Sequence, residues 1–345
     1  MSDEFVLLYP RAAIPGCAVV IARSSRADAV RSLEASAERR RYIAKAFITD
    51  HIPLTGDLPD VMEAKVPRLV QLDKSPLSIY LHAGGTNAIY YDLCADADGY
   101  LKHVDVEIEG TAPGNVLGPA RTAINDVLDK LVGRSWMPLT IGRLDLHLKS
   151  DDKPLLHQFL MPFAGALHLG PLGGMDRIPY FDPYESLIRE AINSPSPFYR
   201  FLCAYRTYDG LNELRRTIRE VCKKAAVTAK LPADAPVAVE MLKQLGFPPE
   251  FVAGIRTVND LHGKLTDARN RIAHFLLKGA KSVVSTSDGD FYMDYALNGA
   301  LLLHYAHTCL VDLRRFWVEH LDETVRMGQI LPLVERRDDF VVRTD

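Results

Sequence analysis

Cysteine and tryptophan are scarce in this chain, at five and two among 345 residues. The cysteines (Cys17, Cys94, Cys203, Cys222 and Cys309) are odd in number and scattered, with no Cys-x-x-Cys pair. They read as neither a disulfide framework nor a cysteine zinc site, and they suit a reducing cytoplasm. A large charge of one sign is also lacking: 41 basic and 44 acidic side chains leave a formal −3. That argues against a globally basic nucleic-acid binder and still allows a local basic patch. No long run is purely apolar. The longest, from Ala296 to Leu313, contains Asn298, His304, His307 and Asp312, which are expensive at the centre of a bilayer. It reads as a buried helix, so no membrane association is expected. The start, Met-Ser-Asp-Glu-Phe-Val, lacks the basic n-region of a signal peptide. Gly84-Gly85 and Gly173-Gly174 have neither the lysine nor the spacing of a P-loop or a GxGxxG turn, and there is no GxSxG or HExxH.

What is there is an ordinary globular composition, 48% apolar and 25% charged, long enough for two domains. Leu77 to Leu81, the loop Gly84 to Asn87 and Ala88 to Tyr91 have a hairpin pattern. Val104, Val106 and Ile108 alternate with acidic residues, and Leu144, Leu146 and Leu148 with Asp145, His147 and Lys149. Between these strands, Ala120, Ile124, Val127, Leu128 and Leu131 keep helical spacing. Ala27 to Ala46 reads as a further, arginine-rich helix. The glycine- and proline-rich stretch His168 to Gly174 marks a boundary. Beyond it, Asp182-Pro183 and Ser196-Pro197 look like N-caps followed by first-turn prolines. Phe198, Phe201, Leu202 and Tyr205 start a helical face that Leu211, Leu214, Ile218 and Val221 continue; Val258 to Lys278 and Tyr292 to about Val325 follow. The predicted fold class is α+β. A mostly antiparallel sheet domain with one crossover helix (residues 1–174) precedes an all-helical bundle (175–330) and a C-terminal tail (331–345).

Charge is concentrated in the second half. Residues 196–231 hold eight basic against three acidic side chains, and residues 256–281 hold six against two. These segments carry +9 and the remainder −12, an asymmetry that can focus an anionic ligand. It equally describes a solvated helix face. The sharpest local feature is Arg269-Asn270-Arg271-Ile272-Ala273-His274. Arginine offers a planar donor fork to phosphate, and histidine is easily poised to move protons near neutral pH. Asn270 lies one helical turn before His274, whereas Arg269 is about 140° away and shares its face only where the helix is irregular. By spacing alone, the segment reads as a helix with His274 half buried beside Ile272 and Phe275. His304 and His307 lie three apart, but with no third ligand evident they read as buried, hydrogen-bonded side chains, and no metal is assigned. His147 and His157 flank the Asp151 to Pro154 turn and could face each other across a hairpin. The remaining histidines carry no pattern, and the first half contains no cluster that reads as an active site.

Arg269-Asn270-x-x-x-His274 resembles the R-x(4–6)-H motif of the HEPN superfamily. Pro197 to Tyr205 is similar to the first helix of its Apea-like group, and Leu301 to Trp317 to its long closing helix. The whole chain, β-rich and then helical, resembles the methylamine utilisation protein MauJ family. The HEPN resemblance implies a bundle that dimerises through its motif helices. It also implies either a non-catalytic binding protein or a metal-independent ribonuclease without a cofactor. Carried over, His274 would be the general base or acid on a ribose 2′-OH, Arg269 would stabilise the scissile phosphate and Asn270 would support them. Arg271, Arg215, Arg219 and Lys264 would hold flanking RNA or nucleotide phosphates. Phe275 departs from the pattern, since relatives often carry glycine after the histidine. The MauJ resemblance implies an accessory role tied to amine metabolism.

Overall fold

The structure, a computed structural model, describes residues 4–26, 38–50, 68–82, 88–135, 138–162, 181–273 and 288–321. Eight strands form one sheet: β1 (Phe5–Tyr9), β2 (Ala18–Arg23), β3 (Arg40–Thr49), β4 (Leu77–His82), β5 (Ala88–Ala95), β6 (Leu101–Gly110), β7 (Thr140–Leu148) and β8 (Leu156–Leu160). Their order is β1-β2-β8-β7-β3-β6-β5-β4, and every neighbouring pair is antiparallel. Because β6 and β7 both run antiparallel to β3, they run parallel to each other. Their connection must therefore cross the sheet, which α1 (Pro113–Ser135) does. Tyr42, Ala44, Ala46 and Ile48 of β3 pack with Val104, Val106, Leu144 and Leu146 beneath Ala120, Ile124 and Val127 of α1. The small Ala44 and Ala46 side chains sit centrally in that layer.

The expected α+β class is therefore observed, with one local correction. Arg40 to Ala46 is a central strand and not part of a helix; residues 27–37 lie outside the described residues. Alanine and arginine favour a helix locally, but Tyr42, Ala44, Ala46 and Ile48 alternate at period two. The β3 backbone hydrogen-bonds to β6 on one side and β7 on the other, and tertiary pairing overrides the local propensity.

The second half consists of α2 (Asp182–Asn193), α3 (Pro197–Lys224), α4 (Val239–Gln244), α5 (Pro249–Val252), α6 (Val258–Lys264), α7 (Thr266–Ala273) and α8 (Gly289–His320). Ser196 caps α3, accepting from the Tyr199 N–H, with Pro197 in the first turn as expected. Asp182 is not a cap: it lies in the first turn of α2, behind Phe181. Thr257 and Asp260 form a capping box at the start of α6. The long helix expected from Val258 breaks at Leu265, and its continuation past Ala273 lies outside the described residues.

The two halves share a core. Cys17, just before β2, and Val19, Ile21 and Phe159 of the sheet belong to the same buried cluster as Phe181, Phe198, Phe201 and Trp317. Arg200 is completely buried at this junction and donates to the carbonyls of Gly16, Ala191 and Ser194. A side chain on Gly289 would collide with the backbone of Gly118, so α8 starts directly against α1. Among the described residues, no helix is long and apolar enough to cross a membrane.

Candidate functional site

The basic segment of α3 faces an open trough of about 800 Å³. Tyr205, Tyr208, Arg215, Arg219 and Lys223 fall within about 80° of one another at 100° per residue, so they form one stripe along the helix. From Tyr205 to Arg219 it runs about 21 Å. At the floor of the trough, Arg215 and Tyr208 donate to the same oxygen of Asp234, each at 2.8 Å, and the Asn259 N–H donates to the other at 2.8 Å. Burial alone would raise the pKa of Asp234, but these donors outweigh it and hold the carboxyl below its ordinary value. Burial and the bond to Asp234 push the Tyr208 phenol up.

Arg215 is therefore turned inward and only 7% exposed. Arg216 pairs with Glu213 at 2.8 Å. Arg219, Lys223 and Lys230 line the trough, are exposed and make no ion pair among the described residues. Arg200, counted in the basic segment, contributes nothing to this surface because it sits in the core. Lys264 is exposed at the end of α6 and does not line the trough.

At the other end of the stripe lies the arginine-asparagine pair. Arg269 and Asn270 are half buried on α7, and Arg269 Nη1 donates to Asn270 Oδ1 at 3.0 Å. The Arg269 guanidinium lies 5.8 Å from the centre of the Tyr205 ring. Arg271 is exposed. His274, the expected proton-transfer residue, lies outside the described residues.

A different histidine stands beside Arg269. His262 of α6 stacks on Tyr205, with ring centres 4.0 Å apart, and its Nε2 is 3.1 Å from Asp209 Oδ1. Burial lowers its pKa, Asp209 opposes the shift and Arg269 adds to it. Neither His262 nor Asp209 was singled out from sequence. One signal was available: residues 262 and 269 are seven apart, two helical turns, and so share a face.

The sheet carries a second polar assembly on the face away from α1. Strand register aligns Asp92, Asp105, Lys45, Asp145 and His157 in one row across β5, β6, β3, β7 and β8. The adjacent row begins with Cys94, His103, Phe47 and Arg143. Arg143 Nε is 2.9 Å and His157 Nδ1 2.7 Å from Asp145 Oδ1. His157 thus faces Asp145 across the hairpin and not His147, whose Nδ1 is 3.0 Å from the Asp152 carbonyl. Burial, with help from Lys45 and Lys102, lowers the His103 pKa to about 4. Burial, with help from Asp92, raises that of Asp105 to about 6. Burial and the neighbouring Asp105 and Asp92 push the Cys94 thiol up to about 11. Such clustered shifts are characteristic of functional sites. The period-two placing of His103, Asp105, Asp145 and His147 was visible in sequence; which strands lay side by side was not.

His304 and His307 are not buried as expected. Both are exposed on α8, at a small apolar cleft shared with Ile14, Ile188, Ile192 and Leu303.

The helical half of this α+β protein, with its basic trough and its arginine-asparagine pair, is also the part that matches a known family. Residues 185–308 match the family model described as Methylamine utilization protein MauJ. Over those residues, this bears out the resemblance to the MauJ family read from the sequence. No curated protein and no solved structure gives a match.

Proposed function

We propose that this protein is a HEPN-type, non-catalytic accessory protein of methylamine utilisation whose helical half binds a phosphate-bearing ligand, RNA or nucleotide, and dimerises through that half. The methylamine link rests on the match of residues 185–308 to the MauJ family. One observation carries the binding role: Arg219, Lys223 and Lys230 converge on one trough, while the carboxylate at its floor, Asp234, is already committed to Arg215. The trough therefore presents cations without a free counter-charge. The decisive measurement is anisotropy of a labelled single-stranded RNA over a salt series. Binding should weaken as salt rises, and Arg219→Ala should lower the log–log slope by about 0.7 for the lost phosphate contact. Salt-independent binding, or an unaltered slope in Arg219→Ala, would remove this reading.

The second reading is a metal-independent endoribonuclease using Arg269, Asn270 and His274. It is favoured by the placing of Arg269 and Asn270 beside Tyr205 and His262, at the end of the same stripe. Incubation with mixed RNA in a chelator separates the two: cleavage that disappears in His274→Ala supports the enzyme, and intact RNA supports the binding protein. A general acid–base group is expected to contribute about 10²–10⁴ in rate.

A further inference from the structure

Strand pairing brings three metal-binding donors together on the polar face of the sheet, far along the chain from the helical trough. Cys94 on β5 is the direct partner of His103 on β6, and Asp105 lies two residues along β6 on the same face. The Cys94 thiol, one imidazole nitrogen of His103 and one carboxylate oxygen of Asp105 all lie within 4.8 Å of one another. His103 Nε2 and Asp105 Oδ1 are 3.5 Å apart. That is longer than a good hydrogen bond of about 2.7–3.2 Å, and Asp105 Oδ1 is buried with no hydrogen-bond partner. Two ligands held at about 2.0–2.1 Å by one tetrahedral ion are separated by about 3.4 Å, close to what is seen. His103 Nδ1 is likewise buried without a partner.

We propose that Cys94, His103 and Asp105 form a three-ligand site for a zinc-class divalent metal ion, with the fourth coordination position open to solvent. A sulfur, a nitrogen and an oxygen donor suit zinc and its transition-metal neighbours. Calcium and magnesium favour shells built from oxygen. Charge also fits. Asp92, the register partner of Asp105, adds a further carboxylate next to the three donors, a setting that favours a cation. Asp145, the next carboxylate in the row, is already matched by Arg143. The site is reachable: the side chains of His103 and Asp105 are 16% and 22% exposed. Cys94 is the one cysteine of the five that is not buried. Three protein ligands and a solvent-facing side describe the open class of zinc site, in which water or substrate takes the last position.

The test is titration of the full-length protein, stripped with a chelator, with Co²⁺ as a spectroscopic substitute for zinc. One equivalent should bind and produce a thiolate-to-cobalt charge-transfer band, and Zn²⁺ should displace it. Cys94→Ser should abolish the band. His103→Ala should lower affinity by more than the about 10–100-fold typical of losing an outer-sphere partner. Circular dichroism checks that the variants fold. Absence of a saturable thiolate band in the wild-type protein would overturn the site whatever the variants do, and so would a band that survives in folded Cys94→Ser. Neither outcome bears on RNA binding by the helical half.

Discussion

Arg215 of α3 donates to Asp234 at 2.8 Å beneath the basic trough, although Asp234 lies 19 positions further on, in the loop between α3 and α4. The pair separates Arg215, which holds the structure, from Arg219 and Lys223 on the same stripe, which face solvent. Arg215→Ala leaves the partly buried Asp234 with its charged donor missing, though still bonded to Tyr208 and Asn259, and is expected to destabilise by about 1–3 kcal/mol. Arg219→Ala removes only an exposed cation and should stay within about 0.5 kcal/mol of wild type. Urea denaturation of both variants checks this; equal stabilities would contradict the assignment of Arg215 to the interior.

The same pair sets a pH dependence. The Asp234 pKa is held below its ordinary value in the folded protein, because the donors from Arg215, Asn259 and Tyr208 outweigh burial. A depressed carboxyl pKa means that the unfolded state binds more protons, so its stabilising contribution is complete above about pH 3.9. That contribution is lost as pH falls through the lower folded value. Midpoints of urea unfolding between about pH 2 and 5 should therefore fall more steeply for wild type than for Asp234→Asn.

Arg200 is expected to be less replaceable than any arginine on the surface. Its guanidinium supplies donors to three carbonyls, of Gly16, Ala191 and Ser194, with no solvent access. Arg200→Met would leave those carbonyls short of donors and should cost about 3 kcal/mol or more. Arg200→Lys should recover only part, because one ammonium cannot reproduce the planar fork. Thermal unfolding of the two variants gives the comparison.

Two glycines should respond to alanine in opposite directions. A methyl group on Gly289 meets the backbone of Gly118, so Gly289→Ala must push α8 away from α1 and should destabilise by about 1–3 kcal/mol. Gly263 lies inside α6 with nothing within 4 Å of the added carbon. Gly263→Ala should stabilise by about 0.4–1 kcal/mol through helix propensity and reduced unfolded-state freedom. Denaturation midpoints of the pair check the sign of each change.

Much of the secondary structure was determined by the sequence itself. Period-two alternation at Val104 to Ile108 and Leu144 to Leu148 marked β6 and β7, and helical spacing marked α1, α3 and α8. Pro197 behind Ser196 marked a helix start to the residue. These are local signals, carried by neighbours a few positions apart. Tertiary structure decided what the sequence left undetermined: that Arg40 to Ala46 is a strand between β6 and β7, that Arg200 and Arg215 point inward, and that His262 stacks beside Arg269. It also decided that Cys94 faces His103 and that His157 faces Asp145. A count of charges carries no direction, and a strand pattern names the residues on a face without naming the strand beside it. The pairing of distant strands turns scattered polar residues into a cluster, because backbone hydrogen bonds set which residues stand opposite one another.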